Sequence, residues 1–135
     1  SPTPKVTEFK QKIRAADAIL ISTAEYNYGL PGVLKNAIDC ASRPYGDSAW
    51  NSKPVAIMSA AVGSAGGLRA QYQLRQSFVF LNMDAVVQPE VAIAAAHQRF
   101  DDKGNLTDET SKKMIAQLLQ NLVAKVRLAR QAKRG

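Results

Sequence analysis

Two short apolar runs limit the possible folds of this chain. Residues 18–23 read AILIST and residues 55–60 read VAIMSA. Continuous apolar runs of this length, rich in β-branched side chains, are typical of strands covered on both faces of a parallel sheet. The long connections between them predict right-handed crossovers with helices on both faces. The sequence therefore predicts a single α/β domain over residues 1–135, with a parallel sheet between two helical layers.

Helical periodicity alternates with these runs in the order α-β-α-β-α-β-α. We expect helices over residues 5–16, from about 31 to 42, and from about 68 to 82. The segment after the last of these predicts a third strand near 84–88, where Pro89 limits further pairing on one side.

The last third of the chain predicts a turn and a long helix. Residues 99–106 indicate a turn, or a small hairpin with the segment before it. Thr107 is the candidate cap of the final helix. The expected buried stripe of that helix is Met114, Ile115, Leu118, Leu119, Leu122, Val123 and Val126.

The net charge of +7 comes mostly from the end of the sequence. Residues 125–135 carry five of the 18 Lys and Arg and no acidic residue, which leaves 13 cationic against 11 anionic side chains elsewhere. Such a basic tail favours a solvated helix end whose cations complement the helix dipole. Contact with a polyanion such as nucleic acid is the less favoured alternative.

Cysteine content and hydropathy favour a soluble cytoplasmic protein. One cysteine, Cys40, excludes an internal disulfide framework and fits a reducing compartment. No apolar run approaches the roughly 18 residues that a membrane span requires, and no charged leader precedes an apolar segment at the start. We therefore expect no membrane partner.

Two loops follow the predicted strands and should meet at one edge of the sheet, because parallel strands end on the same side. The first, residues 24–31, offers polar and aromatic groups, and Gly29 is expected to take unusual backbone angles. The second, residues 60–67, is rich in glycine and leaves its backbone bare. Together they indicate a slot for a planar, polar-edged heterocycle. The alternative is a pair of ordinary strand-to-helix turns.

Three segments resemble the signatures of the NADPH-dependent FMN reductase family, which includes bacterial chromate and quinone reductases. They are EYNYGLPGVLKNAID at 25–39, GSAGGLRAQYQLRQ at 63–76 and NMDAVVQPE at 82–90. The resemblance runs from about residue 5 to 125. It implies a flavodoxin-like three-layer fold that binds FMN noncovalently. NADPH or NADH would reduce the flavin, and a quinone, a flavin or a chromate-like acceptor would take the electrons.

The resemblance also implies roles for individual residues. The expected cofactor contacts are Glu25, Tyr26, Asn27, Tyr28, Ala61, Gly63, Gly66 and Gly67. Arg69, Tyr72 and Glu90 are expected in a polar network between subunits of a homo-oligomer, a dimer or tetramer, with Glu90 able to pair with Arg69. No catalytic side chain and no metal are expected, because the chemistry belongs to the cofactor.

Proteins of this family begin with a strand, a phosphate-binding loop, a helix and a second strand, and no segment here resembles them. We therefore expect the chain to correspond to the C-terminal two-thirds of the fold, without its first two strands. In the strand order 2-1-3-4-5, the run at 18–23 would then be an open edge that self-associates or requires the missing segment. A noncatalytic remnant or oligomeric scaffold is the alternative function, and a basic nucleic-acid binder is the third.

Overall fold

The computed structural model of the chain describes residues 2–134, which form four α-helices and four strands. In chain order the elements are α1 (Pro4–Ala15), β1 (Ile19–Thr23), α2 (Gly32–Ala41), β2 (Pro54–Ala60), α3 (Leu68–Leu81), β3 (Asp84–Ala85), β4 (Val91–Ile93), a 3-10 turn (Ala96–Gln98) and α4 (Glu109–Arg134). The predicted alternation of helices and strands is confirmed, except that the third strand is divided in two.

β2 is the central strand of the sheet, and all of its pairings are parallel. β1 pairs along its whole length, from Ile19 opposite Val55 to Thr23 opposite Ser59. β3 and β4 both pair with the other side of β2. Within residues 2–134, β1 has β2 as its one neighbouring strand and therefore lies at an edge of the sheet. Self-association through this edge stays a prediction.

The expected continuous strand near 84–88 is wrong. β3 ends at Ala85, Val86 still donates its N–H to Val55 at 2.9 Å, and pairing resumes only at Val91. Pro89 lies within the gap and has no N–H to donate to the ladder, so the chain leaves β2 and returns one turn later.

The sheet has one face covered by three helices and one covered by a single helix. Against the first face, α1, α2 and α3 bury a cluster that includes Ile13, Ile38, Leu74 and Phe78. Against the second, α4 buries a smaller cluster around Leu118. The predicted three-layer arrangement of helix, sheet and helix is therefore confirmed.

Two expectations for α4 are wrong. Its cap is Asp108 rather than Thr107, since a carboxylate oxygen of Asp108 accepts the backbone N–H of Ser111 at 3.0 Å. The buried stripe is also narrower than predicted, because α4 packs mainly on β2 and β4. Leu118 and Leu122 are buried, whereas three members of the predicted stripe are exposed. These three are Met114, Leu119 and Val123.

The basic tail is the end of α4, as expected. The helix continues to Arg134, and two of its cations form ion pairs with carboxylates at the start of neighbouring strands. Lys125 contacts Asp84 at 2.8 Å and Arg130 contacts Asp17 at 2.9 Å. Among the helices of residues 2–134, none combines the length and the hydropathy needed to cross a bilayer.

Residues 99–106 form the predicted turn by themselves, and not the alternative, a hairpin with the segment before them. Phe100 and Leu106 make an antiparallel bridge around a turn. The carboxylate of Asp101 accepts the backbone N–H groups of Lys103 and Asn105, which holds the turn closed. A local side chain therefore replaces the partner strand that the sequence suggested.

Candidate functional site

The two loops that follow β1 and β2 lie together at the carboxyl edge of the sheet, as their position in the sequence predicts. The N-terminus of α3 joins them, because the backbone N–H of Ala70 donates to Oε1 of Glu25 at 2.8 Å. Helix N-termini have backbone N–H groups without intrahelical partners. Glu25 satisfies one of them from the neighbouring loop, although it lies 45 residues earlier in the chain.

The first loop contains a two-residue turn. Tyr26 and Gly29 exchange backbone hydrogen bonds of 2.9 and 2.8 Å. The left-handed angles expected at Gly29 occur instead at Asn27 (φ 51°) and Tyr28 (φ 67°), which are the central residues of the turn. A turn with positive φ at both central positions is of type I′, and asparagine tolerates it well. A Cβ at Gly29 would lie 3.4 Å from Oε1 of Gln73, which is an ordinary van der Waals contact, so packing does not require a glycine there.

Three contacts from the first two turns of α3 hold this loop, and we call them the α3 clamp. The first is the hydrogen bond from Ala70 to Glu25 described above. In the second, the Leu30 N–H donates to Oε1 of Gln73 at 2.9 Å. In the third, the Arg69 guanidinium lies 4.0 Å from the centre of the Tyr28 ring. The geometry of the loop is thus fixed by the side chains of Arg69 and Gln73 on α3 and of Glu25 at the start of the loop.

Within the chain, Arg69 does not pair with Glu90. Arg69 faces Glu25, with Nη1 4.0 Å from Oε2, and stacks on Tyr28. Tyr72 is the partner of Glu90, since its hydroxyl donates to Oε2 at 2.7 Å. This hydrogen bond raises the pKa of Tyr72, and burial and the Glu90 charge add to the effect. The network between subunits stays a prediction for these residues.

The glycines of the second loop have two different environments. Gly66 and Gly67 are buried and have positive φ values of 61° and 89°. A Cβ at Gly66 would lie 2.6 Å from the backbone carbon of Ala92, and one at Gly67 would lie 2.7 Å from Oγ of Ser59. Their lack of side chains therefore serves the packing of the loop on β4 and β2. Only Gly63 of the three is exposed with open space above it, as the slot hypothesis requires.

Sequence reasoning missed Gln71, which holds the second loop to the sheet. This fully buried side chain donates from Nε2 to Ser59 Oγ at 2.7 Å and to the carbonyl of Val91 at 2.8 Å. Ser59 in turn donates to the carbonyl of Gly66 at 2.6 Å. The signal was present, because Gln71 lies on the same helix face as Leu74 and Phe78, where an apolar residue is normally expected.

The backbone groups of the two loops divide into engaged and open ones. Both backbone groups of Ala61 are engaged, because its N–H donates to Ile93 and its carbonyl accepts from Ala96, each at 3.0 Å. Any contact from Ala61 to a ligand is therefore left to its methyl group. In the part of the chain that the structure describes, the N–H groups of residues 25, 27, 28 and 62–67 donate to no protein acceptor.

Exposed aromatic rings flank these open donors. Tyr26 and Tyr28 expose 64% and 66% of their surfaces, which is high for aromatic side chains on a turn held in one conformation. Open N–H groups and flat apolar faces at one edge suit a planar ligand with polar atoms on its rim. The residues present therefore fit a ring such as isoalloxazine, with Glu25 bound to α3 and facing the helix instead of the open edge.

A family model described as NADPH-dependent FMN reductase matches residues 1–98 of the chain. The chain belongs to this family. Within it, the chain is 49% identical over 127 residues to an NAD(P)H-dependent FMN reductase of Pseudomonas aeruginosa, covering 94% of this chain and 68% of that protein. It is 46% identical to an NADPH:quinone oxidoreductase of Arabidopsis thaliana, covering 90% of this chain and 61% of the relative.

A solved structure of a related flavoenzyme has the same fold as this member of the FMN reductase family. FerB, a flavoenzyme NAD(P)H:(acceptor) oxidoreductase from Paracoccus denitrificans, superposes with a TM-score of 0.83 at 32% identity. The match covers 93% of this chain and 69% of FerB. The flavodoxin-like fold expected from the sequence is therefore confirmed, and the chain spans roughly two thirds of the length of such relatives.

Proposed function

We propose that this chain forms the ring-binding part of an FMN-dependent NAD(P)H oxidoreductase, which passes electrons to quinones, flavins or chromate-like acceptors. One observation carries the proposal: the loops after β1 and β2 meet at one edge and present open N–H groups beside exposed tyrosine rings. Membership of the FMN reductase family supports the choice of flavin as the planar ligand.

The protein's part in this reaction is to orient and to stabilise. When bound, FMN supplies the two-electron chemistry that connects NAD(P)H with an acceptor. Open N–H groups of the two loops would donate to polar atoms on the rim of the ring and stabilise negative charge that develops there. The α3 clamp holds the first loop in place before the ligand arrives, so little ordering is required on binding.

The expected cofactor contacts take different parts in this proposal. Asn27 and Tyr28 contribute open N–H groups, Tyr26 and Tyr28 contribute ring faces, and Gly63 contributes bare backbone. Glu25 acts through α3 as a positioning residue. Ala61, Gly66 and Gly67 shape the floor of the site by packing.

The acceptor, the assembly and the compartment belong to the same proposal. NADPH and NADH are both candidate donors, and the acceptor is a small molecule. We propose a homo-oligomer, a dimer or tetramer, with Arg69, Tyr72 and Glu90 at the interface. A cytoplasmic location fits the supply of NAD(P)H and the single cysteine.

A visible spectrum tests this function. Purified protein mixed with an equimolar amount of FMN, followed by removal of free flavin, should retain flavin absorbance. That absorbance should bleach on anaerobic addition of NADPH or NADH and return on addition of a quinone. Protein that retains no flavin would contradict the proposal and favour the noncatalytic scaffold.

A pair of tyrosines provides a matched control. Tyr28 lies under Arg69 at the proposed site, whereas Tyr45 lies under Arg43 at the opposite edge, at 4.2 Å. Tyr28→Ala should weaken FMN binding by about threefold to tenfold through the lost ring contact. Tyr45→Ala should leave it unchanged. Equal effects of the two substitutions would place the flavin elsewhere.

A further inference from the structure

One cavity lies at the amino edge of the sheet, away from the proposed flavin site. Its volume is about 510 Å³, within the range of small-molecule sites. It lies between the end of α1, the end of α3 and the loop 43–53 before β2, and is open to solvent on one side. None of the residues of the two flavin loops contributes to its lining.

Positive charge exceeds negative charge in this cavity. Arg14, Arg43 and Lys53 line it, and Asp47 is the one carboxylate among the lining residues. Asp47 is already shared between two cations, since Arg14 contacts it at 2.7 Å and the buried Lys10 at 3.8 Å. The negative charge of Asp47 is thus largely matched before Arg43 and Lys53 are considered.

Arg43 and Lys53 bond to neutral groups and keep donors to spare. The guanidinium of Arg43 donates to Ser42 Oγ at 3.0 Å and to the Tyr45 hydroxyl at 3.2 Å, which uses two of its five N–H groups. Lys53 donates to the carbonyls of Ala16 at 2.6 Å and Arg14 at 3.3 Å. Burial lowers the pKa of Lys53, and the charge of Lys133 lowers it further, whereas Asp17 raises it. A bound anion would offset the burial of the Lys53 ammonium and its repulsion by Lys133.

Aromatic rings and amides complete the lining. Tyr45 and Phe80 line the cavity, and each residue is 75% exposed. The Tyr45 ring is already stacked against Arg43 with 4.2 Å between the guanidinium carbon and the ring centre. The side chains of Asn51 and Asn82 bond to each other at 3.0 Å and retain further donors and acceptors for a polar ring edge.

We propose that this amino-edge cavity binds a phosphate monoester that carries a flat ring, such as a nucleoside monophosphate. Arg43 and Lys53 hold the phosphate, because a guanidinium and an ammonium with spare donors match its oxygens. The ring packs against Phe80, because the Tyr45 ring is already stacked on Arg43. The site is separate from the proposed flavin site and does not rest on the proposed function.

Isothermal titration calorimetry with adenosine monophosphate tests the proposal, on the full chain mixed with one equivalent of FMN and freed of unbound flavin. Excess FMN is avoided because it is itself a phosphate monoester with a flat ring and would compete for the cavity. Adenosine monophosphate should bind, and adenosine should bind at least about tenfold more weakly, because it lacks the charge that Arg43 and Lys53 recognise. The flavin spectrum should not change during the titration. Absence of binding up to about 1 mM, equal affinity for adenosine, or displacement of FMN would each overturn the proposal.

Variants locate the binding. Arg43→Gln should weaken adenosine monophosphate binding by about tenfold, whereas Arg127→Gln, which removes the same charge from the exposed face of α4, should change it by less than about twofold. Equal losses would indicate a general charge effect and overturn the site. Phe80→Ala, on an exposed ring, provides a second test should Arg43→Gln unfold. It should weaken the nucleotide but not inorganic phosphate, and an unchanged nucleotide affinity would exclude the ring contact.

Discussion

The two loops at the carboxyl edge of the sheet are held in different ways. The loop after β1 is held by side chains, through the α3 clamp of Glu25, Leu30 with Gln73, and Tyr28 with Arg69. The loop after β2 is held by close backbone packing at Gly66 and Gly67, where a Cβ would overlap β4 or β2. In the loop after β1, truncating a side chain removes a contact. In the loop after β2, adding a side chain creates a steric clash with a strand.

This difference predicts which changes the site tolerates. Loss of one clamp contact leaves two others and should mainly loosen the first loop. A side chain added to the second loop has no free space and must displace a strand. Substitutions in the two loops should therefore separate into graded effects on ligand binding and large effects on stability.

The largest effect is expected at Gly66. Gly66→Ala should destabilise the protein by about 2–4 kcal/mol, because the residue has positive φ and its new methyl would overlap Ala92. Gly63→Ala, in the same loop but with no atom within 4 Å of the added Cβ, should change the stability by less than about 0.5 kcal/mol. Urea denaturation measures both, and equal losses would refute the packing explanation.

The next effect is expected at Glu25, the clamp contact with the least exposed side chain. Glu25→Ala should cost about 0.5–2 kcal/mol, because the N–H of Ala70 loses its capping acceptor. Glu25→Gln keeps an oxygen acceptor and loses the charge, so the stability of this variant should lie between those of the wild type and Glu25→Ala. FMN affinity should fall in the same order. If Glu25→Ala kept the stability and the FMN affinity of the wild type, the contact between Glu25 and Ala70 would not be what holds the first loop.

The N-terminus of α4 is capped by Asp108, the residue just before the helix, and can be compared with the N-terminus of α3, which is capped by the distant Glu25. Hydrogen bonds from the Ser111 hydroxyl and then its backbone N–H lower the pKa of Asp108. Asp108→Ala should lower the melting temperature by about 2–5 °C at pH 7. Because the folded pKa lies below the unfolded value of about 3.9, the stabilisation is complete above that value and is lost as the pH falls through the folded pKa. Melting curves at pH 7 and pH 3 should show a smaller difference at pH 3.

The smallest effect is expected at Gln73, whose bond to Leu30 is exposed to solvent. Gln73→Ala should cost about 0.5 kcal/mol and weaken FMN binding by about twofold. Gln76→Ala, on the exposed side of the same helix, is the matched control and should have no effect. An FMN affinity in Gln73→Ala as high as that of the control would show that this bond does not position the loop.

The sequence predicted the parallel sheet and the meeting of the two loops, because apolar runs and connection lengths determine both. The division of the third strand was not predicted. It depends on which residues between 86 and 90 hydrogen-bond to β2, and the apolar pattern does not show this. The exposure of Leu119 and Val123 was not predicted either, because periodicity shows which side of a helix is apolar but not how wide the underlying sheet is.

Within the site, residue types were predicted better than their partners. Tyr26 and Tyr28 were expected to be accessible and are, but Arg69 pairs with Glu25 instead of Glu90. The acid lies in the first loop, distant in sequence, so spacing along α3 could not reveal it. Gln71 stands out on the apolar face of α3, but its role could not be assigned because its acceptors, Ser59 and Val91, lie on other elements.

The single tryptophan provides an optical reading of one side of the sheet. Trp50 is buried in the cluster under α1, α2 and α3, where its indole N–H donates to Ile38 at 2.9 Å. The cluster under α4 contains no aromatic ring among its described members. Fluorescence during denaturation will therefore follow the three-helix layer, whereas circular dichroism will be weighted toward the long α4. Superimposable curves would indicate that both layers melt as one cooperative unit, and separate midpoints would identify α4 as an independently detaching layer.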